Sequence, residues 1–248
     1  MPDQVPPGVS RAFEVLVPAT LTLIITACIE SAYYNITGLY LNDIIKNSIQ
    51  DLLGSLGATV PGFIILYLVI MLFWLVDIHG NNMVSAVKES IFTPLALEKF
   101  NRGEKTTNII NMYAIQMWGE IGGSGCTLGS VIAIFIFSKR EDNKAIASLS
   151  LIPGLFEINE TVTFGIPFVL TSIVLEIVGY VLTVIGFCPV ACLTVPWTCP
   201  SLIFGFLATG ANIMGAVTQA ILIAISVVIY TLFLISYEKY QNKQAVEA

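Results

Sequence analysis

The chain has 248 residues, of which 56% are hydrophobic and 11% are charged, and its mean hydropathy is +0.83. A soluble domain carries about 25% charged residues, so this composition excludes a surface that faces water throughout. The net charge of −6 argues against nucleic acid as a partner, because phosphate binding requires a basic stripe. The sequence therefore predicts an all-α polytopic membrane protein in contact with lipid.

The first three predicted elements differ in how they meet the bilayer. Residues 15–41 form an apolar run with a polar end, which predicts one spanning helix. Residues 42–53 place isoleucine and leucine at helical spacing against charged side chains, which predicts an amphipathic helix at the membrane interface. Residues 52–76 carry no charge between Leu52 and Val76 and are long enough to span. Pro61 and Gly62 are expected at the start of that helix or at a kink.

Two later segments are predicted to be broken within the membrane. Basic side chains cluster at residues 99–105 and again at residues 139–144, and the positive-inside rule favours a cytoplasmic location for both. The chain between them must then form a re-entrant hairpin or two spans. The sequence Gly-Gly-Ser-Gly at residues 122–125 is the expected apex. Residues 153–167 repeat this pattern and predict a second broken segment that lines a cavity.

The remaining residues predict two further spans. Residues 168–187 and residues 213–237 are long and apolar enough to cross a bilayer. Between them, residues 188–210 contain three prolines and are not expected to form one straight helix. Residues 238–248 are polar, and their lysines favour a cytoplasmic C-terminus.

Polar side chains inside apolar segments cost several kcal/mol unless they meet water, partners or a ligand, so they are candidates for a site. Residues 74–82 hold the only histidine, His79, although a helix-end cluster is the simpler interpretation. Residues 156–160 place Asn159 beside Glu160, a pair suited to sugar hydroxyls. A structural salt bridge is the alternative, but no cation lies nearby in the sequence.

Two further clusters and the cysteines leave alternatives open. Trp197 lies between prolines and is either a platform for a sugar ring or an interfacial anchor. The glycines of residues 122–125 let backbone approach a ligand or a helix closely, but the lysine of a phosphate-binding loop is missing. The cysteines lack the paired spacing of a zinc site, and no metal or cofactor is predicted.

Several short stretches occur together in an order typical of one family. They are Ile78-His79-Gly80 with Asn82, Gly122-Gly123-Ser124-Gly125, Pro153-Gly154, Ile158-Asn159-Glu160, Pro196-Trp197-Thr198 and Phe206-Leu207-Ala208-Thr209-Gly210. In this order they resemble the phosphotransferase-system (PTS) permeases, specifically the IIC component of the lactose/cellobiose (chitobiose) family.

The resemblance implies a dimeric inner-membrane permease. Such a protein binds a disaccharide of the cellobiose, chitobiose or lactose type and carries it inward, and IIB and IIA partners supply the phosphoryl group. It further implies that His79 orients or deprotonates the accepting hydroxyl, with Glu160 as the second catalytic residue, and that the tryptophans pack on the sugar rings. The implied substrate-binding set is Trp74, His79, Asn82, Gly123, Ser124, Asn159, Glu160 and Trp197. No phosphoryl-carrier cysteine is evident in an exposed, electropositive loop.

The sequence departs from the family in two respects. The family motif reads Asn-Ile-Asn-Glu-Pro, and here Glu157 and Thr161 replace its first and last residues. Family members also begin with further transmembrane helices that form the dimer interface. Residues 1–237 are therefore expected to be the substrate-binding half alone, without the N-terminal dimerisation half, and residues 238–248 the cytoplasmic tail.

Two other functions remain compatible with the residues. The membrane carboxylates Glu30, Glu120 and Glu176 could relay protons in a proton-coupled secondary transporter. Alternatively, the chain could be a truncated fragment that binds sugar without transporting it.

Overall fold

The computed structural model describes residues 7–40, 43, 59–76, 78–98, 107–165 and 171–247, and none of these residues forms a β-strand. They group into two compact units, residues 1–51 and residues 52–248. The predicted all-α fold is confirmed, whereas the predicted interfacial helix at residues 42–53 lies outside the described residues apart from Asp43. The helices in the described ranges are α1 (Pro7–Thr37), α2 (Val60–Leu75), α3 (Gly80–Leu97), α4 (Met112–Gly119), α5 (Leu128–Phe137), α6 (Glu141–Leu155), α7 (Glu160–Gly165), α8 (Thr171–Val184), α9 (Ile203–Ala208) and α10 (Ile213–Glu247).

The first unit contains the long helix α1. Its 31 residues extend for about 46 Å at 1.5 Å per residue, which exceeds the hydrocarbon core of about 30 Å. The helix continues through Pro18, whose carbonyl accepts a hydrogen bond from the Thr22 hydroxyl at 2.8 Å. Its large apolar side chains, including Leu23 and Ile36, are exposed. The helix thus covers most of the segment predicted as the first span.

In the second unit, α2 begins where the proline and glycine of the sequence predicted. Thr59 caps the helix by accepting a hydrogen bond from the backbone N–H of Gly62 at 3.3 Å, and Pro61 occupies the first turn. Proline is favoured there because the missing N–H would be unpaired anyway. Of the two alternatives, a helix start or a kink, the structure shows the helix start, and α2 packs against α3 and α8.

Two helix–turn–helix segments follow α3. Helices α4 and α5 are joined by the glycine-rich turn of residues 120–127, and α6 and α7 are joined by the break at residues 156–159. The arms α4 and α5 have 8 and 10 residues, or about 12 and 15 Å. Each is about half the thickness of the hydrocarbon core. The turn predicted at residues 122–125 is confirmed, whereas the choice between a re-entrant hairpin and two spans stays a prediction.

The C-terminal part combines an irregular segment with the longest helix. Residues 185–202 have no α-helix, and short α9 follows them, so the prediction that residues 188–210 do not form one straight helix is confirmed. Helix α10 packs against α5, α8 and α9. Within the described residues, Ile213–Tyr240 is the one helix long and apolar enough to cross a bilayer. The helix then continues through the polar residues to Glu247.

A buried carboxylate connects α10 to the loop between α5 and α6. Glu238 accepts hydrogen bonds from the Ser138 hydroxyl, from the side-chain amide of Asn143 at 3.0 Å and from the backbone N–H of Lys139 at 3.3 Å. Glu238 is 9% exposed, and these three donors satisfy its charge. The turn of α10 that carries Glu238 is therefore packed within the second unit.

Candidate functional site

One cavity of the second unit collects seven of the eight predicted substrate-binding residues. It has a volume of about 250 Å³. Four segments meet around it, namely the start of α3, the turn of residues 120–127, the break before α7, and the irregular segment that carries Trp197. Its lining residues are His79, Asn81, Asn82, Ser85, Lys88, Glu89, Met112, Gln116, Glu120, Gly123, Ser124, Glu157, Ile158, Asn159, Glu160, Trp197 and Phe204.

His79 is held by three neighbours. Its Nδ1 atom accepts a hydrogen bond from the backbone N–H of Asn82 at 3.3 Å and so caps the N-terminus of α3. Its ring lies against Trp74, with 4.6 Å between ring centroids. Its Nε2 atom lies 3.5 Å from Oε1 of Glu160. Because Nδ1 accepts a hydrogen bond, the neutral ring carries its proton on Nε2, facing the carboxylate.

Glu160 is the first residue of α7, and one of its carboxylate oxygens is free to accept a hydrogen bond. Its Oε2 atom is buried and has no hydrogen-bond partner within the protein, although the side chain as a whole is 44% exposed. Buried polar atoms almost always have a partner. An unpaired carboxylate oxygen in a cavity wall is therefore suited to a ligand hydroxyl.

The glycine-rich turn and the break before α7 fit closely together. The Asn159 amide donates hydrogen bonds to the Ser124 carbonyl at 2.7 Å and to the Thr163 hydroxyl at 3.0 Å. Gly123 has φ +91°, and a Cβ atom there would lie 2.6 Å from Cγ of Asn159. Both the backbone conformation and the lack of space require glycine at this position. Asn159 is 3% exposed, and its hydrogen bond to the Ser124 carbonyl joins the two segments.

Asn81 connects the start of α3 to the same turn. Its side-chain amide donates to the Ser124 hydroxyl at 2.6 Å, and its Oδ1 atom is buried without a partner in the protein. Asn81 was not among the predicted site residues, although it is adjacent to Asn82 in the sequence. Asn81 contacts residue 124, which is 43 positions away in the sequence, and the local sequence does not indicate this contact.

Glu157 adds a carboxylate to the cavity wall. Its Oε2 atom accepts from the backbone N–H of Gly123 at 2.9 Å, and its Oε1 atom accepts from the Ser201 hydroxyl at 2.7 Å. Its backbone has φ +66°. Residues other than glycine, asparagine and aspartate rarely adopt this left-handed region. The departure from the family motif thus occurs at a residue that contacts two other segments.

A buried ion pair forms another part of the wall. Lys88 of α3 donates to Oε1 of Glu120 at 2.6 Å, and the two side chains are 7% and 12% exposed. The Tyr67 hydroxyl donates to the same oxygen at 3.4 Å. Glu176, which is 1% exposed, lies with Tyr67 against Gly119. The carboxylate of Glu120 therefore has a cation and a hydroxyl as partners inside the protein.

Trp74 is the predicted site residue that does not line the cavity. It is 2% exposed and lies behind His79, with Phe164 on its other side at 5.5 Å between centroids. The prediction that it packs on a sugar ring is not tested by these contacts. Trp197, in contrast, lines the cavity and is 58% exposed.

The cavity presents hydrogen-bonding groups and an exposed indole rather than a metal site. Among the described residues, no three His, Cys, Asp or Glu side chains are arranged to hold a metal ion. Carboxylate, amide and imidazole groups around an exposed aromatic face are chemically suited to a polyol, whose hydroxyls both donate and accept. The described residues thus form a helical protein whose cavity carries groups suited to a small, hydroxyl-rich ligand.

The chain belongs to the phosphotransferase-system EIIC family, whose family model, described as "Phosphotransferase system, EIIC", matches residues 1–180. EIIC permeases are integral membrane proteins, which agrees with the predicted membrane location. This membership confirms the resemblance inferred from the sequence. It does not favour the alternative of a proton-coupled secondary transporter.

Two relatives show how the match extends along the chain. The lichenan permease IIC component of Bacillus subtilis is 34% identical over 98% of this chain and 57% of its own length. The cellobiose-specific EIIC component of Lactococcus lactis is 30% identical over 98% of this chain and 56% of its own length. The chain therefore spans somewhat more than half the length of these relatives.

A solved structure shows the same fold. The transporter ChbC, the IIC component from the N,N′-diacetylchitobiose-specific phosphotransferase system, superposes with a TM-score of 0.72 at 31% identity. The superposition covers 99% of this chain and 60% of ChbC. The chain thus shares its fold with a solved PTS transporter over nearly all of its length.

Proposed function

We propose that this chain forms the sugar-binding part of a PTS permease that binds a disaccharide and translocates it across the cell membrane for phosphorylation. The relatives named above are specific for lichenan, cellobiose and N,N′-diacetylchitobiose. A β-linked disaccharide of this kind is the proposed substrate.

The observation that carries the proposal is a group of unpaired polar atoms around His79. Oε2 of Glu160 and Oδ1 of Asn81 belong to residues that line the cavity, and both atoms are buried and lack a partner in the protein. Leaving such atoms unpaired costs about 1–3 kcal/mol each. Sugar hydroxyls can donate to the two oxygens and recover this cost on binding.

The geometry also supports different roles for the two proposed catalytic residues. Because Nδ1 of His79 accepts from the backbone of α3, its Nε2–H is the group available to donate to a sugar oxygen. Glu160 is then the group available to accept the hydroxyl proton as the sugar oxygen attacks phosphorus. His79 accordingly orients the hydroxyl, and Glu160 deprotonates it.

The phosphoryl donor is proposed to be a IIB partner, which is itself served by IIA. The lactose-specific relative of Streptococcus mutans is named as an EIICB component, with 29% identity over 96% of this chain. That name indicates that a IIB part can be joined to an EIIC part. A cytoplasmic C-terminus and a homodimer in full-length relatives belong to the same proposal.

The experiment that tests sugar binding uses purified chain in detergent. Titration calorimetry with cellobiose, N,N′-diacetylchitobiose and lactose measures the affinity of the parent protein and of two variants. Glu160→Gln and His79→Asn are each expected to weaken binding about tenfold to hundredfold, because the first replaces a charged acceptor by a neutral amide and the second removes the Nε2–H donor. Asparagine at position 79 can still cap α3, so this variant tests the ring nitrogen and not the helix start.

The matched control is Glu141→Gln. Glu141 is an exposed carboxylate at the start of α6, with its side chain 87% exposed, and its replacement is expected to leave binding unchanged. The proposal fails if the parent protein binds none of the three sugars, or if Glu160→Gln and Glu141→Gln bind equally well.

A further inference from the structure

Glu157 joins the irregular segments that surround the cavity. Its two carboxylate oxygens accept hydrogen bonds from the Gly123 N–H and from the Ser201 hydroxyl, at 2.9 and 2.7 Å. Gly123 belongs to the turn of residues 120–127, and Ser201 belongs to the irregular segment of residues 185–202 that carries Trp197. One side chain therefore links three separate walls of the cavity.

The backbone conformation of Glu157 is unusual for a glutamate. At φ +66°, glutamate is less favourable than asparagine, which tolerates the left-handed region. Asparagine is also the residue at this position in the family motif. A strained conformation persists only where surrounding contacts over-determine it. Two backbone hydrogen bonds at the end of α6 accompany this conformation, from the Glu157 N–H to the Gly154 carbonyl at 3.3 Å and from the Ile158 N–H to the Pro153 carbonyl at 3.1 Å. The side chain adds its own two hydrogen bonds and is one methylene longer than that of asparagine.

The Trp197 segment is also held at its far end. The backbone N–H groups of Leu202 and Gly205 donate to Oε1 of Gln219 at 2.7 and 2.8 Å. Gln219 in turn donates to the Met117 carbonyl at 3.1 Å. Thr194, three positions before Trp197, is bonded through its hydroxyl to that of Tyr113 at 2.6 Å. Glu157 binds residue 201, which lies between Trp197 and the Gln219 anchor in the sequence.

We propose that Glu157 is a positioning residue that fixes the Trp197 segment against the glycine-rich turn and thereby sets how tightly the cavity holds a sugar ring. The part that concerns sugar rests on the proposed function, whereas the tether itself does not. The length of the side chain and its two hydrogen bonds carry the effect.

Three variants separate length from charge. Glu157→Asn shortens the side chain while tolerating the same backbone conformation. Glu157→Gln keeps the length, since its carbonyl can accept from the Gly123 N–H while its amide donates to the Ser201 oxygen. Ser201→Ala removes the partner and leaves Glu157 in place.

The tether is tested without sugar, by time-resolved anisotropy of tryptophan fluorescence on the purified chain. Trp74 and Trp118 are 2% and 1% exposed and Trp197 is 58% exposed, so nanosecond local motion reports on Trp197. Glu157→Asn and Ser201→Ala are expected to introduce a fast component that the parent protein and Glu157→Gln lack. Anisotropy decays that are the same in all four proteins would overturn the tether.

Sugar affinity provides the second measurement. Glu157→Asn is expected to weaken disaccharide binding about tenfold, Glu157→Gln less than about threefold, and Ser201→Ala about as much as Glu157→Asn. Combining Glu157→Asn with Ser201→Ala is expected to add little, because both changes break one connection. Glu141→Gln, which neutralises a carboxylate outside the cavity lining with its side chain 87% exposed, is the control and is expected to have no effect.

Two results would overturn the positioning role. If Glu157→Gln weakens binding as much as Glu157→Asn, the charge and not the reach of the side chain matters. If the effects of Glu157→Asn and Ser201→Ala add fully, the two residues act independently. Failure of the parent protein to bind any sugar would instead refute the proposed function, while the anisotropy measurement would still decide the tether.

Discussion

The buried pair of Lys88 and Glu120 allows a prediction about stability whose size follows from the structure. Their side chains are 7% and 12% exposed, and Nζ lies 2.6 Å from Oε1. Lys88→Met removes the cation and leaves the Glu120 carboxylate with the Tyr67 hydroxyl at 3.4 Å. Breaking a buried pair from one side costs about 3–5 kcal/mol. For a chain of 248 residues this corresponds to a fall in Tm of about 6–20 °C.

The assay is thermal unfolding of the purified chain in detergent, followed by tryptophan fluorescence. The double variant Lys88→Met with Glu120→Gln is expected to recover most of the loss, because no charge is then buried alone. Lys144→Met breaks the exposed pair with Glu141, at 3.1 Å and with side chains 38% and 87% exposed, and should change stability by less than about 1 kcal/mol. The reasoning is refuted if Lys88→Met is no worse than Lys144→Met, or if the double variant is less stable than Lys88→Met.

Two further predictions concern the packing around the cavity and the end of α10. Gly123→Ala should abolish sugar binding in calorimetry, because residue 123 has φ +91° and the added Cβ would lie 2.6 Å from the Asn159 side chain. The control Gly154→Ala, whose added Cβ has no atom within 4 Å, should bind sugar normally. Equal binding by the two variants would contradict the close fit around Gly123. Glu238→Gln should lower the free energy of unfolding by about 1–3 kcal/mol, because its three donors lose a charged acceptor, and an unchanged Tm would show that the carboxylate is not needed there.

The parts of the fold that were predictable depend on local sequence. Pro61 and Gly62 indicated the start of α2 because proline is favoured in a first helical turn. The glycines of residues 122–125 indicated a turn because they adopt positive φ without a steric penalty. The prolines of residues 188–210 likewise indicated a break. Each of these signals acts within a few residues, and each was confirmed.

The contacts that form the site were harder to predict from the sequence. Family resemblance selected His79, Asn159 and Glu160, and the structure places all three in one cavity wall. The partner of Glu120, however, is 32 residues away, and Glu120 alone suggested a proton relay. Such pairings depend on the rotation and register of packed helices, which the local pattern does not specify. For the same reason, the sequence did not indicate that Trp74 lies behind His79.

Helix α10 is longer than the membrane that it is expected to cross. Its apolar part, Ile213–Tyr240, has 28 residues and measures about 42 Å, against a hydrocarbon thickness of about 30 Å. Such a mismatch is relieved by leaning of the helix or by local thickening of the lipid. Since α5, α8 and α9 pack on α10, they would lean with it. The acyl-chain length of the surrounding lipids is thereby coupled to the arrangement of the helices in the second unit. Reconstitution in bilayers of different thickness would therefore change this arrangement without a substitution.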